Sequence, residues 1–429
     1  MSLSSILLAA FWLVALLNPV FKKYDYGAEF PLIAVFGVLL AVVAFIEYRK
    51  KREKAYLEQF SLWLFGIFVI LSFVFSQTRN VGFSEVLAFV SVITFYSIFA
   101  FRKIPWINKF LKVVGVGTIL AIIMGFYFYF MEAETRMTGP FFNILYHANV
   151  WPNAFALFLI MAWPIFLLKQ FPKKNLWAYF CVGIILTALL LTFSRGALIV
   201  LGGQILLLVI CFFRKIKLKT IASAVLIGFF SLGLFWTANY LRAQRFEIID
   251  VEEKITFENE ESLTSVSERK DFWQGALELA KEKPLLGWGP FSFRYAYNGI
   301  QKTFLGNSDH PHNIFLKIAA ENGLLAVGAF IAFLLITLFE VARRFKTLDQ
   351  GKKDFVYILF VAIAGAFAHN LIDYNFNFFA NLLLLFIFMA FMRSFVARQE
   401  KTSKSSLVNL LIALLIAIFS IYEGALLAL

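Results

Sequence analysis

Thirteen apolar runs, most of them near the ~20 residues a helix needs to cross a bilayer, recur through the 429-residue chain. They lie at 3–20, 30–46, 60–76, 83–101, 111–130, 148–168, 176–193, 196–213, 219–239, 313–339, 355–373, 376–392 and 406–427. A chain divided in this way predicts an all-α fold, a polytopic transmembrane helical bundle of about 12–13 spanning helices. Composition points the same way: 61% of residues are hydrophobic, 16% are charged, and the mean hydropathy is +0.77. Ordinary soluble chains carry about 25% charged residues and cannot hide this much apolar surface. Aromatic residues at 18% exclude disorder. The first run has no basic leader and no A-x-A cleavage site, so it is read as a retained helix. Cys181 and Cys211 sit in apolar runs without CxxC spacing, which leaves no disulfide framework and no thiolate metal site.

The net charge of +13 is confined to particular loops. Segments 47–58, 102–112, 169–174, 214–219, 340–354 and 393–404 hold 25 of the 40 Lys and Arg but only 7 of the 27 Asp and Glu. Basic residues in short alternate loops follow the positive-inside rule of membrane topology, so no nucleic-acid partner is implied. With those six segments in the cytoplasm, the N-terminus is cytoplasmic and nine helices precede the long segment 240–311, which is then extracytoplasmic. Three regions are expected: 1–239, an N-terminal membrane bundle; 240–311, one long and partly helical extracytoplasmic loop; and 312–429, the C-terminal membrane helices. Within the loop, Glu247 to Glu261 is charged and poor in apolar residues. Ser265 and Glu268 have capping-box spacing. Phe272, Trp273, Ala276, Leu277 and Ala280 then line one face of an amphipathic helix near 267–283, which Pro284 ends.

Polar residues gather on the extracytoplasmic side in five places. These are Asp309-His310-Pro311-His312-Asn313, Ser194-Arg195-Gly196, Arg269 on the amphipathic helix, Arg136 with Gly139, His147 and Pro152-Asn153, and His369-Asn370 with Asp373. The i,i+4 spacing of His369 and Asp373 predicts both on one helical face. Each place has a plain role beside a chemical one: an arginine at a helix end snorkels to headgroups, and His369 with Asp373 makes an interfacial pair. His310 and His312 lack a clear third ligand beyond Asp309, so no metal site is expected. Jointly the residues fit one chemistry. Arginines at a membrane-level cavity are costly unless an anion sits there, guanidinium forks grip phosphate oxygens, and a neutral imidazole accepts a proton near neutral pH.

The chain here resembles the O-antigen ligase and polymerase family of bacterial envelope glycosyltransferases. The resemblance rests on Leu-Thr-Phe-Ser-Arg-Gly-Ala-Leu (191–198) and Glu-Arg-Lys-Asp-Phe-Trp-Gln-Gly-Ala-Leu (268–277). It continues with Lys-Pro-Leu-Leu-Gly-Trp-Gly-Pro-Phe-Ser-Phe (283–293), His-Pro-His-Asn-Ile-Phe-Leu leading to Glu-Asn-Gly-Leu (310–324), and His-Asn-Leu-Ile-Asp (369–373). Each motif is weak alone; their order and spacing are specific, and they cover most of 130–395. The first 130 residues match only as generic spanning helices, and a thirteenth helix departs from the twelve of the ligases. The resemblance implies transfer of a glycan from undecaprenyl diphosphate to a hydroxyl acceptor, a glycolipid or glycan, without metal or other cofactor, at the outer face of the cytoplasmic membrane. Carried over by motif, Arg195 and Arg269 hold the diphosphate and His312 is the general base. Arg136, His310, Asn313, His369 and Asp373 make up the expected substrate-binding set. A polymerase, a protein O-oligosaccharyltransferase and, from another class, a flippase for the same lipids are the competing readings. The near absence of charge inside the helices speaks against a flippase path. Of the two histidines, His312 is expected to be fixed at a helix start capped by Asn313, and His310 to lie freer on the loop side.

Overall fold

The computed structural model describes residues 3–18, 30–48, 57–101, 104–132, 135–142, 150–168, 176–213, 216–246, 260–301 and 308–397. The expected run 406–427, His147 and most of 247–261 lie outside them. The described residues form fourteen α-helices and no strand. The helices are α1 (Leu3–Leu17), α2 (Phe30–Tyr48), α3 (Leu57–Val74), α4 (Arg79–Phe99), α5 (Ile107–Met131), α6 (Pro152–Ala162) and α7 (Leu176–Leu191). They continue with α8 (Arg195–Phe212), α9 (Leu218–Ala243), α10 (Glu260–Glu282), α11 (Phe293–Asn298), α12 (Ile314–Phe345), α13 (Gln350–His369) and α14 (Phe379–Val396). Among the described residues seven helices are long and apolar enough to cross a membrane: α3, most of α4, α5, α8, α9, α12 and α14. The chain is an all-α polytopic bundle, the arrangement in which apolar segments satisfy their own backbone groups in lipid.

Local chemistry sets several boundaries. Pro152 opens α6 at a position where a missing N–H costs nothing, and Pro164 turns the end of that run into a 3-10 segment, Trp163–Leu167. The run expected at 355–373 is helical only to His369. There the Asn370 side chain donates to the Ala366 carbonyl (2.8 Å) and accepts from Asn375 N–H (2.8 Å), replacing the partners that another helical turn would supply. The amphipathic helix starts at Glu260, not near 267, so the Ser265–Glu268 pair lies inside it and does not cap it.

In the packing, α12 and α3 form the most extensive helix pair, and α10 lies along α12. Helix α14 is central: 94% of its residues are buried. Arg393, counted by sequence with a loop, is in α14 and wholly buried, its Nε donating to Glu58 Oε1 at 2.5 Å beside Phe101. By contrast only 17% of the most apolar stretch of α8, and of α9, is buried. α8 leans on α13 and α6, whereas α9 packs on α7.

Candidate active site

The expected site residues come from helix ends at one end of the bundle. α7 stops at Leu191, Phe193 takes a left-handed conformation (φ 49°), and Ser194 leads into α8, whose first residue is Arg195. Such a conformation is uncommon for a bulky residue and costs on the order of 1–3 kcal/mol. The Phe193 ring is held by burial against Phe235, with centroids 5.7 Å apart. Gly196 is needed for contact: a Cβ there would lie 2.6 Å from Ile372 Cδ1. The half-buried Arg195 therefore starts its helix against the turn that carries Asp373.

That turn is also joined to the start of α12. Asn313 caps the helix, accepting from Phe315 N–H (2.9 Å) and Leu316 N–H (3.1 Å), and its Nδ2 donates to the Leu371 carbonyl at 2.9 Å. Ile314 N–H donates to the Asn370 carbonyl at 2.9 Å. His312, left-handed at φ 52°, turns its imidazole so that Nδ1 lies 2.8 Å from Asp373 Oδ1. Its Nε2 lies 3.1 Å from Ser308 Oγ. Because Asp373 accepts only, the neutral ring carries its proton on Nδ1 and leaves Nε2 basic.

Asp373 is the hub. Its Oδ1 accepts from Tyr374 N–H (2.8 Å), and its Oδ2 accepts from Asn153 Nδ2 (2.8 Å). Asn153 Oδ1 in turn accepts from Arg136 Nη2 at 2.7 Å, and Arg136 Nε donates to the Thr192 carbonyl at 2.8 Å. Burial opposes ionisation of Asp373. The hydrogen bond and charge of His312, with the charges of His369 and Arg269, outweigh it and hold the carboxyl well below the usual carboxylate range. Arg269 Nε donates to the Ile372 carbonyl at 2.9 Å, and Phe272, one turn further along α10, stacks on the His312 ring with centroids 5.8 Å apart. Arg136 (through Asn153), Arg269, His312, Asn313 and Asp373 thus converge on one turn, 369–374, and Gly196, next to Arg195, packs against it.

Two expectations about the histidines change. The helix that carries His369 ends there, although Asp373 N–H still donates to the His369 carbonyl at 3.1 Å, and the hydrogen bonds of the Asp373 carboxylate go to His312 and Asn153. His310 is not the freer residue: it is buried between Tyr374 (4.8 Å) and Phe291 (5.5 Å), whereas the His312 side chain is 31% exposed. Burial pushes the His310 imidazole well below the ordinary histidine value; Lys317 and His312 push the same way, and Asp373 opposes them. Among the described residues, no three His, Cys, Asp or Glu side chains cluster as ligands for a cation.

Sequence reasoning missed Asn153 as the link to Asp373, and it missed a buried ionic group behind the site. Lys317 of α12 lies 2.7 Å from Glu85 Oε1 and pairs with Glu321 one turn on, while Tyr374 Oη donates to Glu85 at 3.3 Å. The Glu321 carboxylate accepts from Phe291 N–H and Phe293 N–H, both at 3.1 Å. Its carbonyl accepts from Gly289 N–H and Ser72 Oγ, both at 2.7 Å. Gly323 (φ 84°) kinks α12 so that the turn after α10 fits against it; a Cβ there would lie 2.2 Å from the Leu285 carbonyl oxygen. The signals were present as Glu-Asn-Gly and Leu-Leu-Gly-Trp-Gly-Pro, which interlock in three dimensions.

Residues 180–331 match the family model described as O-antigen ligase. Over that segment, about a third of the chain, the protein is similar to the O-antigen ligase family. The match contains Arg195, Arg269, His310, His312 and Asn313, and it supports activity of the O-antigen ligase or polymerase type. Arg136, Asn153, His369 and Asp373 lie outside the matched residues, yet the fold joins them to the ligase segment. Among curated proteins none matches the chain.

Proposed function

We propose that the protein is a glycosyltransferase of the O-antigen ligase type. It moves a glycan from undecaprenyl diphosphate to a hydroxyl of lipid A–core or another envelope glycoconjugate, at the outer face of the cytoplasmic membrane. The observation that carries this reading is the His312–Asp373 pair, 2.8 Å apart, on the turn against which Arg195 and Arg269 are placed. His312 Nε2 takes the proton of the acceptor hydroxyl, and the oxygen attacks the anomeric carbon as the bond from that carbon to the phosphate oxygen breaks. One displacement inverts the centre. The bonding electrons leave with the diphosphate, whose charge Arg195 and Arg269 offset; Asp373 stabilises the imidazolium until it gives its proton to solvent. A base in this role contributes roughly 10²–10⁴ in rate.

Polymerase and protein O-oligosaccharyltransferase chemistry would use the same groups; a single long loop, 240–311, favours the ligase. The test supplies purified protein with lipid-linked glycan and a panel of acceptors, in the presence of chelator. New glycoside without added nucleotide or metal supports the transferase, and the acceptor consumed distinguishes ligase from polymerase and protein transferase. Movement of the lipid between leaflets without new glycoside would replace the reading with a flippase.

A further inference from the structure

Outside the site, an apolar cavity of about 930 Å³ lies in the half of the bundle away from Arg195. Its walls come from α7, α8, α9 and α13, with Trp163 and Leu167 of the 3-10 segment. Leu201, Ile205, Leu208 and Phe212 of α8 line it, and the spacing continues upward through Leu198 to Ser194, beside Arg195. Steps of three and four residues make one stripe on a helix. At 1.5 Å per residue, the lining part of α8 lies about 9 to 25 Å below Arg195.

Three observations say what fills it. First, the cavity is open between helices: α8 and α9 pack on different partners, and both leave most of their apolar surface uncovered. Second, the polar side chain of α8 in this stretch, Gln204, faces away from it, bonded to Trp163 Nε1 (2.6 Å), the Ile160 carbonyl (3.0 Å) and the Val361 carbonyl (3.0 Å). The α8 side of the wall is left to hydrocarbon. Third, the depth exceeds a phospholipid chain anchored level with Arg195, since half of a ~30 Å hydrocarbon layer is about 15 Å. A phospholipid entering from the opposite end would set its phosphate beside the wall charges Asp349 and Asp354, with Lys352 already bound to Asp349 at 2.6 Å.

We infer that this cavity holds the far part of a long polyprenyl chain whose diphosphate lies at Arg195, and that it makes the protein selective for chain length. The inference rests on the proposed donor. Ala224, on the α9 wall, and Leu208, on the α8 wall, are the positions at which to narrow it. One glycan is presented on undecaprenyl diphosphate and on farnesyl diphosphate. Ala224→Trp and Leu208→Trp should each raise KM for the long-chain donor about tenfold or more, the loss of only two buried methylenes being enough for that. Farnesyl-linked donor should be used as by wild type. Equal effects on both donors, or none, would overturn the inference.

A second readout needs no turnover. An undecaprenyl diphosphate carrying a diazirine at the tail end should label the α8 and α9 walls of the intact protein, competed by unlabelled undecaprenyl diphosphate. No labelling there, or labelling by a diazirine phosphatidylglycerol that undecaprenyl diphosphate does not displace, would also overturn it. If wild type transfers from neither donor, the transferase reading fails, and the photolabelling still decides the cavity.

Discussion

Asp373 accepts from the His312 ring across 61 residues of sequence, at 2.8 Å, and its other oxygen is held by Asn153. The carboxylate thereby fixes the ring's tautomer and stands ready to stabilise the charge the ring acquires. Asp373→Asn keeps the shape and removes the charge, so turnover should fall by roughly 10²–10⁴ while KM for the donor stays near that of wild type. His312→Ala should lose at least as much and still bind lipid-linked glycan. Steady-state kinetics at matched protein levels checks both; an active Asp373→Asn would separate the carboxylate from the chemistry.

Arg195→Lys and Arg269→Lys should each lower turnover on the order of 10²–10³, because lysine keeps the charge but loses the planar fork. Arg269 has a further role that lysine's single amine serves poorly, since its Nε already donates to the Ile372 carbonyl. Full activity in either variant, measured with undecaprenyl-linked donor, would remove that arginine from the site.

The buried neutral His310 predicts the sign of a pH effect on stability. Its folded pKa lies below the ordinary value of 6.5, so between the two values the unfolded chain binds more protons. The group's contribution is complete above about 6.5 and declines as pH falls towards the folded pKa, by at most about 1.4 kcal/mol per pH unit. Thermal unfolding of the protein in detergent should shift down between pH 7 and 5, and His310→Asn should show a shallower shift. Parallel curves would refute this.

Glu321 should matter through structure rather than contact with the reacting atoms. Glu321→Ala strands the buried Lys317 with Glu85 alone and frees two backbone N–H groups at Phe291 and Phe293. Breaking a buried pair from one side costs about 3–5 kcal/mol, and Glu321→Gln, which keeps an acceptor, should lose less. Unfolding temperatures of the two variants give the order, and the reverse order would contradict it.

Orientation is checked by cysteine labelling. The charge pattern puts α10 outside and the α12–α13 turn inside, so in a chain lacking Cys181 and Cys211, Ser267→Cys should react with an impermeant thiol reagent and Lys346→Cys should not. Both positions are exposed. Gln59, at the start of α3, is unsuited to report the inner side because it is buried and donates to the Ser97 carbonyl at 3.1 Å. Equal labelling at the two sites would overturn the topology.

Much of the bundle could be read from apolar length: twelve of the thirteen runs fall on helices, and the thirteenth lies outside the described residues. Asn313 was legible as a cap because capping is local. The partner of His312 was not. Helical spacing pairs Asp373 with His369, but the helix ends at His369 and the carboxylate bonds to His312 and Asn153, from two other helix starts. The burial of His310 depends on Phe291 and Tyr374, from two other parts of the chain, and no periodicity encodes that. Glu85, Lys317 and Glu321 are scattered through two apolar runs, and their pairing is set only by the meeting of α4 and the turn after α10 with α12.

The bonds from Asn313 and Ile314 to the 370–371 turn have a consequence for anyone who would exchange parts between such proteins. The segment that matches the O-antigen ligase model ends at residue 331, inside α12, before the chain returns with Asp373. A transplant of that segment alone would carry the arginines and the imidazole but leave their carboxylate in the host, along with the carbonyls that seat the helix start. Grafts should therefore be cut beyond residue 375, and even those must bring along the turn at Arg136 and Asn153. What looks like a portable module in sequence is one half of a handshake.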